Sequence, residues 1–346
     1  MTQDAQAPFV RLALEAMKCR FELILVGDEP ARLRAVGEEA LEEIEGLGRK
    51  LNFYSPSSLL SRLNRDASAA AVPVDARLYE LLTLCRHVHS RTGGAFDPTI
   101  SPLLEAWGFR RRRGRRPSDS ELGDALKRVG FDKVLLNDEK RTLRLTGGVT
   151  LNLSSIAKGY ALDCAAEILR EHGVRNALLH GGTSSVLALG HPPSPAGSSP
   201  QASRSPESAR KAGDAGWVVE VEDPRENHRC LVRWTLRDEA MSVSGNHLNV
   251  LRVAEKTLPD PDALPDSKSS ERQAPRSATI GHVVDPRSGR PVERILAASV
   301  AMDCANPLPA ALADAYATAA LVDPAQEPAW QKEIKRLHRA TTQKPF

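Results

Sequence analysis

The segment from Asn152 to Tyr160, with the sequence NLSSIAKGY, combines residue types that could bind a phosphate group. Ser154 and Ser155 precede a helical pattern and can cap its start. The first amides of a helix lack partners and lie at the positive end of the helix dipole, where an anion is favoured. Lys158 falls in the first turn, where a cation is unfavourable unless an anion is bound nearby. The pattern predicts a phosphate site, although an ordinary capped helix with a solvated lysine has the same sequence.

A second pair of residues could bind a metal ion. Asp314 and Thr318 are four positions apart in a run of small residues that predicts a helix, so they share one face of it. A carboxylate and a hydroxyl are hard oxygen ligands of the kind that Mg²⁺ takes together with phosphate oxygens. Because two ligands cannot complete the coordination, a backbone carbonyl and the substrate would have to supply the rest. A polar stripe on a packed helix is the alternative interpretation.

Four further segments carry weaker signals. The two glycines at 93–94 would let the backbone approach a ligand closely, and Asp97 is held extended by the proline that follows it. His282, in a predicted short strand that leads into a turn, could serve as an acid or a base near neutral pH. Residues 180–182 and 241–245 are predicted to be glycine-rich turns. Each of these patterns is also common in ordinary turns and cores.

Helices and strands in mixed order must position these residues. Helices are predicted where apolar residues recur at three- and four-residue steps, and strands where short apolar runs occur. The predicted strands span residues 21–26, 174–179 and 217–221, and the predicted helices span residues 33–51, 78–88 and 161–169. Gly173 is predicted to end the third helix.

Two stretches, residues 191–216 and 256–278, are predicted to be loose surface insertions. The first contains five prolines and six serines with almost no large apolar residue, and the second is similarly rich in proline, aspartate, serine and lysine. Such compositions bury too little apolar surface to offset the entropy lost on ordering. We therefore expect a single domain over residues 1–346 with two peripheral excursions.

The composition excludes several classes of protein. An apolar fraction of 41% with 26% charged residues describes a chain that can bury a core, and no stretch approaches the ~20 apolar residues of a spanning helix. The net charge of +3 comes from Arg110–Arg116, which holds six arginines; without them 41 basic residues face 44 acidic ones. A nucleic-acid-binding face is therefore not expected, although this run could bind an anionic surface.

Cysteine usage and the N-terminus favour a reducing compartment. The five cysteines are odd in number and lack CxxC spacing, so neither a disulfide framework nor a zinc site is predicted. The N-terminal segment has no export signal, because Glu15 interrupts its apolar stretch, and no lipid-attachment motif precedes Cys19. We expect a cytoplasmic protein.

The order of these segments from Met17 to about Pro324 resembles that of the ApbE family of FAD:protein FMN transferases. The matching motifs are Ser57-Ser58-Leu-Leu-Ser-Arg-Leu-Asn64, GGAFDPT, Trp107-Gly-Phe109, IAKGYA, HGG, SVSGN, HVVDPRSG and ADAYAT. The resemblance implies an α+β fold with mixed sheets packed against helices and a nucleotide cleft between two lobes. It also implies that FAD is the substrate, that Mg²⁺ is the cofactor, and that FMN is transferred to a threonine or serine of an acceptor protein, with release of AMP.

The resemblance further implies roles for individual residues. The implied flavin and nucleotide contacts are Met17, Tyr54, Ala95, Phe96, Asp97, Asn152, Lys158 and the backbone of Val284. The implied Mg²⁺ ligands are Asp314, Thr318 and the carbonyl of Ser155. The implied catalytic residues are His282, Asp285 and Lys158. Tyr54 and Phe96 would offer planar surfaces to the rings of FAD.

Two departures from the family pattern bear on activity. Asn152 and Thr183 stand where members usually carry aspartate, and each loss of a carboxylate could weaken FAD or metal binding. The alternatives are therefore an FAD pyrophosphatase, with water as the acceptor, and an FAD-binding protein without catalysis. The acceptor is expected to be a subunit of a redox enzyme that carries a flavinylation motif.

Overall fold

The computed structural model describes residues 8–109, 115–193, 216–226, 228–246, 250–254, 277–293, 295–323 and 330–341. The predicted insertions at 191–216 and 256–278 lie outside the described residues except at their ends. Residues Arg110 to Gly114 also lie outside the described residues. In the rest of that arginine run, Arg115 forms an ion pair with Glu121 at 2.7 Å. Within the described part of the chain, no helix is long and apolar enough to span a membrane.

Seven α-helices lie in the described residues: α1 Pro30–Lys50, α2 Leu59–Ala69, α3 Ala76–Arg91, α4 Ser101–Ala106, α5 Asp119–Leu126, α6 Ala157–Glu171 and α7 Pro309–Val322. The strands of the first half are β1 Phe9–Ala16, β2 Cys19–Val26, β3 Val72–Pro73, β4 Val134–Asn137, β5 Thr142–Leu145, β6 Asn176–Gly181 and β7 Ser185–Leu189. Those of the second half are β8 Trp217–Glu222, β9 Cys230–Leu236, β10 Glu239–Gly245, β11 Val250–Ala254, β12 Ser277–Gly281, β13 Ile295–Asp303 and β14 Arg336–Thr341.

A seven-stranded antiparallel sheet is the centre of the fold. Its order is β1-β2-β6-β7-β10-β13-β14, so strands from the two ends of the chain form its two edges. Smaller sheets are formed by β3-β5-β4, by β8-β9 and by β11-β12. This arrangement confirms the expected α+β class with several sheets.

Both faces of the central sheet are covered, which explains why its middle strands are buried at nearly every position. Leu179 and Leu187 face the main core, where α1, α6 and α7 pack. Leu178 and Val186, their neighbours in sequence, face a second cluster that includes Trp217 of β8. Alternation along each strand therefore supplies apolar side chains to both layers.

Helices α6 and α7 cross at very close range. A Cβ atom on Gly159 would lie 2.1 Å from the carbonyl oxygen of Ala310, so only glycine fits at this position of α6. The carboxylate of Asp163, one turn later, accepts hydrogen bonds from the amides of Ala310 (3.0 Å) and Ala311 (2.9 Å). These amides belong to the first turn of α7, where backbone donors have no partner within the helix. The Asp163 side chain of α6 therefore caps the N-terminus of α7 and also holds the two helices together.

Most of the predicted elements are confirmed, but the two predicted glycine-rich turns are not: His180 and Gly181 belong to strand β6, and only Gly182 follows it. The strand predicted at 21–26 lies within β2, the helices predicted at 33–51 and 78–88 are α1 and α3, and Gly173, with φ +73°, follows the end of α6. Residues 241–245, predicted as a turn, instead form part of strand β10. Their serines and glycine lack strong strand propensity, but pairing with β7 and β13 on either side overrides it.

Candidate functional site

A cleft of about 350 Å³ lies beside the α6–α7 crossing. Its walls come from segments that are more than 200 positions apart in sequence. Many of the residues singled out from the sequence line it, namely Ala95, Phe96, Asp97, Asn152, Ser155, Lys158, His282, Val284, Asp314 and Thr318. Ile100 and Leu104 also line the cleft, and they belong to a small apolar cluster around α4 and α5 that includes Val284.

Asp314 is the carboxylate at the centre of the site, and it is 4% exposed. Its Oδ1 accepts hydrogen bonds from the hydroxyls of Ser185 (2.7 Å) and Ser242, and its Oδ2 accepts one from the amide of Gly159 (2.7 Å). Within the described ranges, the buried carboxylate is therefore held by donors from α6, β7 and β10 and not by a basic side chain.

Thr318 lies one helical turn after Asp314 on the same face of α7. Its hydroxyl lies 3.1 Å from the backbone carbonyl oxygen of Asp314 and 3.1 Å from the hydroxyl of Ser244. Both ligand candidates thus meet the cleft from one helix, as the four-residue spacing predicted.

Lys158 reaches from the first turn of α6 to the hydroxyl of Ser184. The prediction that a serine pair caps this helix is wrong, because the N-cap residue is Ile156 and it makes no side-chain cap. Ser154 instead turns back to Asn152, whose Oδ1 accepts from its amide (3.1 Å) and its hydroxyl (2.6 Å). The amide of Gly159 is not an open donor either, since it binds Asp314.

Asn152 is tied into its surroundings by its whole side chain. Besides the two bonds from Ser154, its amide nitrogen donates to the hydroxyl of Ser101 at 3.0 Å. Its backbone amide donates to the carbonyl of Pro98 at 2.7 Å, which joins this segment to the GGAFDPT segment. Both the oxygen and the nitrogen of the Asn152 side chain therefore have hydrogen-bond partners.

The segment containing His282 is braced by residues far from it in sequence. Asn246 accepts from the amide of Val283 (3.0 Å) and donates to the carbonyl of Val292. Trp107 donates its indole proton to the carbonyl of Gly289 at 2.8 Å. His282 and Val284 line the cleft, with the intervening main chain fixed on both sides.

Asp285, predicted as catalytic, is not among the residues that line the cleft. Its carboxylate forms an ion pair with Arg287 at 2.9 Å, and Arg287 also pairs with Asp323 at the end of α7. These contacts raise the pKa of Arg287. Arg287 therefore links Asp285 and its turn to the end of α7.

The segment from Ala95 to Asp97 is buried. Phe96 is 1% exposed, so its ring belongs to the core and offers no open face for stacking, contrary to expectation. Asp97 accepts from the amide (2.7 Å) and the hydroxyl (2.6 Å) of Thr99 and lies 3.4 Å from Nδ1 of His89. Burial raises the pKa of the Asp97 carboxyl, although these partners act in the opposite direction.

Met17 and Tyr54 are not among the residues that line the cleft. Met17 and Lys18 form the tight turn between β1 and β2, and both have positive φ, 50° and 63°. The Lys18 ammonium lies 4.8 Å from the ring centre of Tyr54, which is 52% exposed. Cys19, the next residue, does line the cleft.

The donor set suits a hard divalent cation. Asp314, Thr318 and the carbonyl of Ser155 offer oxygen ligands in one cleft, and Mg²⁺ is commonly bound by one or two carboxylates together with substrate phosphates. Among the described residues, no three or more histidine, cysteine, aspartate or glutamate side chains cluster as a metal site. The residues present therefore fit Mg²⁺ bound together with a phosphate-bearing ligand.

Reasoning from the sequence missed four polar side chains of the site. Ser184, Ser185, Ser242 and Asn246 contact Lys158, Asp314 or the His282 segment, but each contact spans 26 residues or more. No local period brings such residues together. The available signal was the resemblance itself: Ser242 and Asn246 lie in the SVSGN motif, and Ser184 and Ser185 follow the HGG motif by two and three residues.

The chain matches the sequence model of the ApbE family over residues 17–340. A similar protein from Haemophilus influenzae, named FAD:protein FMN transferase, is 32% identical over 154 residues, which are 42% of this chain and 44% of that protein. One of the same name from Rhodobacter capsulatus is 30% identical over 284 residues, 79% of this chain and 44% of that protein. The matches thus span less than half the length of these relatives.

Two solved structures have a similar fold. The ApbE protein of Thermotoga maritima has a TM-score of 0.75 at 24% identity, covering 96% of this chain and 94% of that one. The apo form of the flavinyl transferase ApbE of Pseudomonas stutzeri has a TM-score of 0.71 at 22% identity, covering 99% of this chain and 96% of that one. Identities at this level establish the shared fold alone.

Proposed function

The chain belongs to the ApbE family, and we propose on that premise that it is an Mg²⁺-dependent enzyme that transfers FMN from FAD to a threonine or serine hydroxyl of an acceptor protein, releasing AMP. The observation that carries the proposal is the convergence of Lys158, Asp314 and Thr318 on one cleft. A carboxylate, a hydroxyl and a cation are the groups that a magnesium-bound diphosphate requires.

In the proposed reaction, the acceptor's hydroxyl oxygen attacks the phosphorus of the FMN half of FAD. The bond from that phosphorus to the bridging oxygen breaks, AMP leaves, and the hydroxyl proton passes to His282. Mg²⁺, when bound, neutralises charge on the diphosphate oxygens. Lys158, oriented by Ser184, supplies a further positive charge beside the same oxygens.

The remaining predicted residues are proposed to bind and orient FAD. Asp314, Thr318 and the Ser155 carbonyl would hold the metal. The segment of Ala95, Phe96 and Asp97 would contact the flavin, and the backbone of Val284 would contact the nucleotide. Met17, in the β1–β2 turn, and Tyr54, an exposed residue between α1 and α2 whose ring lies beneath Lys18, would contact the flavin. The acceptor is proposed to be a redox-enzyme subunit, because its hydroxyl becomes the anchor of a covalent flavin.

The test is incubation of the protein with FAD, Mg²⁺ and an acceptor domain that carries the pattern Asp-x-x-Ser/Gly-x-Thr. An acceptor mass gain equal to FMN minus water supports the proposal. Free FMN with an unmodified acceptor indicates a pyrophosphatase, and bound FAD without turnover indicates a binding protein. Either of these two results overturns the transferase assignment.

Asp314→Ala should reduce the transfer rate by at least ~100-fold, because the metal loses its only proposed carboxylate ligand. Asp124→Ala is the matched control, since Asp124 is an exposed aspartate paired with Lys127 at 2.9 Å. Transfer by Asp314→Ala at the rate of the control would contradict the metal assignment.

A further inference from the structure

The carboxylate of Asp314 is held on three sides by donors from three different elements. Ser185 of β7 and Ser242 of β10 both donate to Oδ1, and the amide of Gly159 in α6 donates to Oδ2. The two serines are themselves 0% and 2% exposed. The sequence assigned no role of its own to either serine, although Ser242 lies in the SVSGN motif.

The hydrogen bonds to the Asp314 carboxylate occupy most, but not all, of its acceptor positions. An ionised carboxylate has about four lone-pair positions, two on each oxygen. The two serine hydroxyls occupy both positions on Oδ1, and the Gly159 amide occupies one on Oδ2. One position on Oδ2 remains for a further partner.

We propose that Ser185 and Ser242 are positioning residues that hold Oδ1 of Asp314 and so present Oδ2 as the single oxygen available to a divalent cation. This inference rests on the metal site of the proposed function and adds which oxygen binds and what orients it. The last torsion of an aspartate is broad, so without these hydroxyls the carboxylate can turn and offer either oxygen. Partners that orient a metal ligand typically contribute a factor of about 10–100 in metal affinity.

The experiment measures Mn²⁺ binding to the full chain with FAD present at a fixed concentration, by the electron paramagnetic resonance signal of free Mn²⁺, and FAD without protein is the blank. Ser185→Ala and Ser242→Ala should each weaken binding by about tenfold, with little change in melting temperature. The Mg²⁺ concentration for half-maximal FMN transfer should rise by a similar factor, while the rate at saturating Mg²⁺ changes less.

Ser299→Ala is the matched control. Ser299 is 2% exposed on β13, and within the described part of the chain its hydroxyl has no hydrogen-bond partner. This variant removes a buried hydroxyl without touching Asp314, so it should bind Mn²⁺ like the wild type.

Three outcomes decide the matter. Weakened binding in both serine variants, with an unchanged control, supports the inference. Wild-type affinity in the serine variants, combined with lost binding in Asp314→Ala, overturns the inference and leaves the proposed function intact. Absence of Mn²⁺ binding by the wild type overturns the claim that Asp314 is held ready for a cation.

Discussion

The side chain of Asn64 pairs with both backbone groups of Leu151, as a neighbouring β-strand would do. Its amide nitrogen donates to the carbonyl of Leu151 (2.9 Å) and its oxygen accepts from the Leu151 amide (2.7 Å). Leu151 is 1% exposed and directly precedes Asn152. Helix α2, which carries Asn64, is thereby joined to the start of the cleft segment.

Asn64→Ala should lower the free energy of unfolding by about 2 kcal/mol or more, because it leaves both backbone groups of a buried residue without partners. Urea unfolding followed by fluorescence measures this change. Asn137→Ala is the control, since the Asn137 side chain is exposed and accepts from the Lys140 amide (2.8 Å) in a turn at the surface. Equal losses in the two variants would show that the Leu151 contacts are unimportant.

At the residue scale, the sequence predicted those groups whose chemistry is visible in local spacing. Asp314 and Thr318 were identifiable because a four-residue interval places two side chains on one helix face. Ser185 and Ser242 were not, because their approach to Asp314 depends on the register of β7 against β10, in which Ser242 lies opposite Ser185. A register across the sheet cannot be derived from local periodicity.

At the scale of elements, the α6–α7 crossing decides the geometry of the site. Lys158 lies on one helix and Asp314 on the other, so any displacement between them separates the two groups. The crossing depends on the absence of a side chain at Gly159 and on the Asp163 carboxylate at the start of α7. The helix–helix contact is therefore both a core feature and a constraint on the site.

Gly159→Ala should destabilise the protein by roughly 1–3 kcal/mol or more, because the new methyl group meets the Ala310 carbonyl and the helices must separate. Binding of FAD should weaken with it. Gly46→Ala in α1 adds the same atom where nothing lies within 4 Å, and it should stabilise by up to about 1 kcal/mol. Thermal unfolding measures the stability change of each variant, and flavin-fluorescence titration measures FAD binding. If Gly159→Ala stabilised the protein as Gly46→Ala is expected to do, the close helix crossing would be refuted.

Asp163 gives the crossing a pH dependence. Burial raises the pKa of its carboxyl to about 8, although the amides of Ala310 and Ala311 act to lower it. The unfolded pKa is about 3.9, so between about pH 4 and about pH 8 the folded state binds a proton that the unfolded state lacks. Stability from this group is therefore greatest below the lower pKa and is lost as the pH rises.

The contribution of Asp163 is isolated by subtracting the free energy of unfolding of Asp163→Asn from that of the wild type at each pH. Asparagine does not titrate, and the other titratable groups are common to both proteins, so their contributions cancel. The wild type should lose stability relative to the variant by at most about 1.4 kcal/mol per pH unit between about pH 4 and 8. Above that range the difference should be constant. Urea unfolding at about pH 5, 7 and 9 measures it, and a difference that does not vary with pH would contradict the raised pKa.

The elements themselves were more predictable than their ends. Amphipathic periods located α1 and α3, and Gly173 located the end of α6, since these signals are local. The start of α6 was predicted wrongly, because Ser154 binds the Asn152 side chain instead of capping the helix. Competition between two local partners for one hydroxyl is decided by the fold around it.

At the scale of the whole molecule, the central sheet joins distant parts of the chain around one cleft. Strand β2 from the start of the chain pairs with β6, and β10 lies between β7 and β13. This order brings Cys19, Ser184 and Ser242 to the same cleft as Asp314. Mixed elements were predictable from the sequence, whereas this strand order was not, because no local signal encodes which strands become neighbours.

The most direct test of the proposed site is the anomalous scattering of Mn²⁺ in crystals grown with FAD. The metal should lie within about 2.3 Å of Asp314 Oδ2 and of the Thr318 hydroxyl, and the diphosphate should lie beside Lys158. Clear FAD density with Mn²⁺ elsewhere, or FAD bound outside the cleft, would contradict the assignment of this site.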